Sequence, residues 1–497
     1  MEDVGESWLM VSLTKSPILV ALVETAGSLP VVLLALPAGA LADVVDRRRL
    51  LLVTQSWMLV AAAMLGSLTI AGRTTPWALL LFTFAIGLGS AMNGPAFQAI
   101  IAELVPRREL PAAVTLSGVA INVSRAVGPA LGGLLVAAAG SGVVFLLNAL
   151  SFLAVMLVIY RWQPARKEST MPPEHILGAM RAGVRYARYA PALRAAFIRT
   201  GAFIVCASAL WALLPLHARQ ALDLGSFGYG VLLGCIGVGA VSGAVFLPRV
   251  RQIVSNDLLV VAASVVFATA TAVLAYVNVP VLAGFAMVFA GISWIAVVSS
   301  FNTAAQTAAP PWVRARALSL YLLVFMGGMA GGSAIWGAVA GRFGVRSALS
   351  SAAIGLILGI AAKFRYTLVE GDDLSVTPAT LWPEPVVVVE PNPEHGPVLV
   401  QIEYRIDPKR GREFRQAMRD LRRIRRRDGA IRWGLFHDPA EPGRFVESFL
   451  VESWAEHMRQ HGRATEADRE IEERVIAFHI GGEPPTVSHL VAEHVPR

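Results

Sequence analysis

The stretch ILVALVETAGSLPVVLLALPAGALADVVDRRR, residues 18 to 49, decides how the chain is read. From Ile18 to Ala42 it is almost unbroken hydrocarbon, and a bilayer core about 30 Å thick takes roughly 20 such residues as one helix. Leu50 to Gly72, Trp77 to Ile101 and Val143 to Tyr160 repeat the pattern. Further spans read at Ala112 to Ala139, Leu193 to Leu216, Tyr229 to Pro248, Leu258 to Val277, Val281 to Ala305, Ala317 to Ala340 and Ala348 to Phe364. With Ser7 to Leu13 as an incomplete first span, the expectation is an all-α polytopic membrane protein of twelve spans.

Composition points the same way: 55% of residues are hydrophobic, only 16% are charged, and the mean hydropathy is +0.58. A soluble globular domain does not look like this. Cys206 and Cys235 lie inside apolar stretches without disulfide or metal-ligand spacing, so neither a cofactor nor a metal is expected. The chain start lacks the basic, apolar and small-residue succession of a removable leader. No Walker A string occurs, which leaves ATP without a phosphate cradle and an ion gradient as the expected source of energy.

Orientation follows from the excess of Lys and Arg in cytoplasmic loops. One set of loops carries Arg47, Arg48, Arg49, Arg107, Arg108, Arg161, Arg181, Arg185, Arg249, Arg251, Arg314 and Arg316, whereas the alternate set carries Lys15, Arg73, Arg219, Arg342 and Arg346. The first set, and the C-terminus with it, is expected on the cytoplasmic side of the cell membrane. Sliding the chain by 208 positions superposes Leu50, Gln98, Arg108 and Gly133 on Leu258, Gln306, Arg316 and Gly341. This suggests two parallel six-helix halves. Under that offset Leu193 matches a position before Met1, so the first helix reads as truncated: either the start is an internal methionine or the chain begins with a short helix.

The expected order is a first transmembrane half over 1–160, an interdomain loop over 161–192, a second half over 193–366 and a Pro-rich linker over 367–396. A cytoplasmic α+β domain follows over 397–497, with strands at Val398 to Ile406, Ile431 to His437, Phe445 to Val451 and Thr486 to Val491, and helices at Gly411 to Arg426 and Glu456 to Ala477.

Between the second and third spans, Gly39, Asp43, Asp46, Arg47 and Arg48 combine a close-packing glycine, helix-end acids and a basic cluster. The group is either a charged latch that opens when the halves rock or a plain positive-inside anchor. In the fifth span, Gly128, Pro129, Gly132 and Gly133 join a proline kink to small residues that allow close helix approach. The first string resembles the loop motif of the major facilitator superfamily, with Val44 and Asp46 as departures. The second resembles that superfamily's antiporter motif, with Ser124 for its leading glycine. The run from Gln98 to Gly133 looks like the branch that includes the bacterial enterobactin exporter and related secretion permeases. The resemblance covers about Gly5 to Phe364 and implies the twin-bundle fold, a small-molecule substrate and proton exchange.

Ionisable residues within spans are costly and usually functional. Glu2, Asp3 and Glu6 on the first helix, Glu24 on the second, and Arg125 and Arg199 in the fifth and seventh spans are therefore candidates for proton coupling or ion pairing. For Arg125 a structural tie remains open. Asn93, Asn148, Asn302 and Gln306 are candidates for substrate contact or for interhelical hydrogen bonds. In the tail, Lys409, Arg410, Arg412, Arg415, Arg419, Arg422, Arg423, Arg425, Arg426 and Arg427 crowd one helix that reads as solvated and paired with Glu466 to Glu473, or else as a site for anionic lipid. The tail's order resembles ferredoxin-like antibiotic-biosynthesis monooxygenases, which draws notice to Trp433, His437, His457 and His461, although each histidine otherwise reads as a surface residue. The expected function is non-enzymatic: proton-driven export of a small amphiphilic molecule such as a siderophore or antibiotic. Proton-coupled uptake and a ligand-sensing or enzymatic tail are the alternatives. The partners are substrate, protons and lipid, with self-association through the tail; no nucleic acid is expected.

Overall fold

A segment in lipid must satisfy every backbone N–H and C=O internally, so apolar runs of this length fold as helices. The computed structural model describes residues 1–44, 46–104, 109–161, 176–310, 312–368, 387 and 391–493. Its helices are α1 (Glu2–Leu13), α2 (Pro17–Val44), α3 (Arg47–Ile70), α4 (Pro76–Leu104), α5 (Leu110–Ala139), α6 (Ser141–Arg161), α7 (Ile176–Tyr189), α8 (Pro191–Gln220), α9 (Ser226–Arg251), α10 (Asn256–Tyr276), α11 (Pro280–Thr307), α12 (Arg314–Phe343) and α13 (Val345–Gly359). Each span read from the sequence falls on one of them. Among the described residues, ten are long and apolar enough to cross a membrane. Val53, Leu81 and Phe285 are 67%, 64% and 62% exposed, apolar area that water would not tolerate on this scale and lipid accepts.

The chain divides into two units. The first comprises Met1–Pro173, Phe197–Asn302 and Tyr321–Thr367. Here α3 to α6 recur in order as α10 to α13. The one-residue turns at Gly140 and Gly344, with φ of +82° and +85°, separate α5 from α6 and α12 from α13 alike. That left-handed backbone suits glycine because it has no Cβ to clash.

The second unit comprises Glu174–Ala196, Thr303–Leu320 and Leu368–Arg497. Its sheet has strands β1 (Val398–Arg405), β2 (Arg432–His437), β3 (Arg444–Val451) and β4 (Thr486–Val491), antiparallel in the order β2-β3-β1-β4. Alternation on β1 turns Val398, Val400, Ile402 and Tyr404 inward, where they meet Phe414, Met418 and Leu421 of helix α14 (Gly411–Asp428). The helix expected over Glu456 to Ala477 is two helices, α15 (Trp454–His461) and α16 (Glu466–Ile476). Thr465 and Asp468 form a capping box that starts the second. The interdomain segment, read as a loop, holds α7. Ala182, Tyr186 and Ala190 are buried one turn apart, while Arg181, Val184 and Arg188 are exposed.

Candidate functional site

Glycine brings the acidic helix close to its neighbours. A Cβ on Gly5 would stand 3.0 Å from the Phe145 ring, so α1 lies against α6. From there Asn148 Nδ2 donates to Glu2 Oε2 at 2.5 Å, and the second Glu2 oxygen is buried without a hydrogen-bond partner. One turn on, Glu6 is 5% exposed and within electrostatic reach of Glu2, Asp3 and Glu24, the last on α2. Further along α1, Trp8 stacks on Tyr229 of α9 with ring centroids 6.0 Å apart, and Arg219 donates to the Val11 carbonyl at 2.8 Å. The structure thus gathers Glu2, Asp3, Glu6, Glu24 and Asn148 about one helix. Of these acids Glu6 is buried, Glu2 and Glu24 are half-buried and Asp3 is exposed, so like charges crowd where only part of their charge is solvated.

The antiporter-like glycines lie at a helix crossing. A Cβ on Gly133 would come within 2.7 Å of the Gly230 Cα, and one on Gly230 within 2.8 Å of the Gly133 Cα, so α5 and α9 touch backbone to backbone. Gly132 leaves room for Met1, whose Cα would stand 2.9 Å from an added Cβ. Gly128 and Pro129 continue the same face toward Met1 and Gly230. On α2, Ala21 lies under Gly337 of α12, and Thr25 donates to the Ala330 carbonyl at 2.9 Å.

The other residues singled out are placed differently. Arg199 is buried and pairs with Asp257 at the start of α10, apart from the carboxylates of α1. The cavity bordering it, lined by Phe203, Ser264 and Phe301, holds about 20 Å³, room for one water and no substrate. Asp46 caps α3 by accepting from Arg49 N at 2.9 Å, while Arg48 donates to the carbonyls of Ile159 and Tyr160 at the end of α6. Both act as helix-end ties. The surroundings of Gly39 and the side chains of Asp43, Arg47 and Arg125 lie outside the described residues. Asn93 accepts from Gln55 at 3.3 Å and Thr54 at 3.4 Å, tying α4 to α3, the interhelical use of such a residue. Asn302 is half-buried and Gln306 exposed. Asp257 was missed because an acid beside the Ser255 cap reads as an ordinary helix start.

In the tail, Glu447 on β3 is fully buried and accepts from Arg425 Nε at 3.2 Å, Trp433 Nε1 at 2.8 Å and the Tyr404 hydroxyl at 3.1 Å. Arg425 also reaches Glu472 at 2.9 Å, and Arg427 reaches Asp468 at 2.6 Å. The acidic stretch therefore pairs with the inner edge of the basic helix, while Arg412, Arg415, Arg419, Arg422 and Arg423 face solvent. His437 is exposed, and His457 is buried between the rings of His461 and His489.

These helices form the fold of a major facilitator transporter. A bacterial homologue of the human lysosomal transporter Spinster, inward-facing and occupied, superposes over 75% of this chain and 95% of its own at 15% identity with a TM-score of 0.59. The nucleoside transporter NupG does so over 74% and 95% at 14% identity with a TM-score of 0.56. The staphyloferrin A transporter of Staphylococcus aureus is 24% identical over 56% of this chain and 70% of its own. The multidrug efflux pump Tap of Mycolicibacterium fortuitum is 23% identical over 73% and 91%. The family model described as transmembrane secretion effector matches residues 1–497, and the chain belongs to that family. It is a multi-pass secondary transporter and not an enzyme.

Proposed function

We propose that this transporter exports a small amphiphilic organic molecule, of siderophore or antibiotic type, in exchange for protons. The observation that carries the reading is the carboxylate group of Glu6, which is buried, with Glu2 and Glu24, which are half-buried, inside the transmembrane unit. In alternating access the group takes protons from one side, gives them to the other, and so drives substrate the opposite way. The glycine crossing of α5 on α9 supports this, because backbones in direct contact let helices pivot without side chains to unlock. Relatives named for staphyloferrin A transport and multidrug efflux support a bulky organic cargo. The basic loops support a cytoplasmic tail and residence in the cell membrane. The strand order β2-β3-β1-β4, with helices between β1 and β2 and between β3 and β4, supports a ferredoxin-like reading of that tail.

The test is a proteoliposome assay with ethidium as probe and an imposed pH gradient. Glu6→Gln and Glu24→Gln are each expected to lower gradient-driven dye movement by about tenfold or more, since each removes a protonatable group. Unchanged gradient dependence in both variants removes the carboxylates from the mechanism.

A further inference from the structure

Within the second unit, three pieces that are distant in sequence are bound to one another: α7 from the segment joining the two six-helix halves, the turn between α11 and α12, and the C-terminal domain. Arg185 of α7 is the central tie. Its Nη2 meets Glu456 Oε1 of α15 at 2.8 Å, and its Nε donates to the Arg427 carbonyl at 3.3 Å. Glu456 is 13% exposed and also receives both guanidinium arms of Arg463, at 2.6 and 3.0 Å. Burial alone would raise this carboxyl, but Arg463 and Arg185 together hold it below its usual range. It therefore stays charged through the physiological range.

Next to the ion pair stands an aromatic contact. Tyr186 of α7 is 3% exposed, donates to the Ala308 carbonyl at 3.1 Å, and meets Trp312 edge-on with centroids 5.6 Å apart. The tail covers both rings with cations: Arg427 lies 5.5 Å from the Tyr186 centroid and Arg463 lies 4.7 Å from that of Trp312. Gly183 lets α7 run against the first turn of α12, since a Cβ there would stand 2.9 Å from the Arg316 Cβ. An exposed helix of a flexible connector needs none of this. A strand of chain free to move with the halves would show one solvated face and no buried tyrosine.

We propose that the C-terminal domain is a brake on transport, clamping the connector helix α7 to the α11–α12 turn through Arg185, Tyr186, Trp312 and Glu456. Alternating access requires the two halves to move against each other, and the connector joins them in sequence. α11 and α12 continue from the clamped turn into the transmembrane unit. A domain that holds the turn and the connector in one fixed relation favours the conformation in which that relation exists. Release removes the preference. The inference rests on the exporter reading of the transmembrane unit.

Arg185→Ala removes the tie from the α7 side and leaves the Glu456–Arg463 pair of the tail intact. In the full chain in detergent, hydrogen exchange over 181–189 is expected to rise about tenfold in this variant, while exchange in β1 and β3 stays as in the parent. Ethidium movement in proteoliposomes is expected to rise about fivefold, within the usual range of coupling between sites. The converse uses Arg181 and Glu452, exposed and 3.7 Å apart across the same contact. Arg181→Cys with Glu452→Cys, in a background of Cys206→Ser and Cys235→Ala, is joined by a cleavable bismaleimide; transport is expected to fall and to recover on cleavage. Exchange over 181–189 that is unchanged by Arg185→Ala overturns the clamp. Raised exchange with transport unchanged or lowered overturns the brake. A parent and variant both silent toward the dye overturn the exporter reading and the brake with it, while the exchange measurement still decides the clamp.

Discussion

Single residues in the tail illustrate how far burial decides their chemistry. Glu447 sits at a position of β3 that alternation assigns to the core, and it is kept there by three donors, from Arg425, Trp433 and Tyr404. A carboxylate so placed has to be hydrogen-bonded on all sides, or its desolvation would cost several kcal/mol. His457 shows the opposite case. Burial, with His489 and His461 beside it and Arg425 beyond, lowers it from its ordinary 6.5 to about 4. Gln460 Oε1 lies 3.3 Å from its Nδ1, and Trp454 packs on the ring. The folded state thus holds His457 neutral where the unfolded chain would protonate it. Between 6.5 and 4 the unfolded state binds more protons, so stability is lost as pH falls. The expected loss is about 2 kcal/mol on going from neutrality to pH 5. The urea midpoint of the tail, read by pulse proteolysis of the full chain, checks this, and His457→Leu should remove most of the dependence. A midpoint indifferent to pH would show that the imidazole is not held neutral.

At the scale of elements, the crossing of α5 on α9 is the feature most open to test. Gly133→Leu places a branched side chain where the Gly230 Cα already lies 2.7 Å from the first added carbon. The helices must separate to admit it, and the pivot is lost. Transport is expected to fall at least about tenfold with the protein still inserted, because apolar spans set insertion and crossings set motion. Gly133→Ala is expected to be milder. Wild-type transport by the leucine variant would show that the crossing carries no motion. The sequence displayed half of this site: Gly128 to Gly133 stands out as a kinked small-residue run, whereas Gly230 sits among the many glycines of Gly225 to Gly243 and carries no mark of its own. Arg199 tells the same story in charges. Its cost in a span was legible, but its partner Asp257 lay across a long stretch of chain, and one sequence holds no distance information to join them. Likewise Asp46 and Arg48 read as parts of a latch, while their described contacts are a helix cap and two carbonyl ties.

For the molecule as a whole, legibility followed the strength of the physical signal. Lipid demands about 20 apolar residues per crossing, so the long apolar helices could be placed to within a few residues, while α1 was read from Ser7 and begins at Glu2. The tail strands were equally plain, since Val398, Val400, Ile402 and Tyr404 alternate without a break. What could not be read was α7. Its apolar side is only Ala182, Tyr186 and Ala190, too short a stripe to stand out until Trp312 and Arg427 are seen against it. The remaining global question is sidedness, for which the loop charges give an expectation. Arg48, Arg251 and Arg316 belong to the arginine-rich loops, and positive residues stay on the cytoplasmic face because moving them across costs energy against the membrane potential. In a background without Cys206 and Cys235, single cysteines at Arg73 and Arg346 are expected to react with a membrane-impermeant maleimide in intact cells. Cysteines at Arg249 and Arg415 are expected to react only after the cells are opened. Twin six-helix halves require Arg249 and Arg415 to behave alike, because an even number of crossings, α10 to α13, separates them. Labelling of one and protection of the other in intact cells would break the parallel repeat and remove the basis for alternating access.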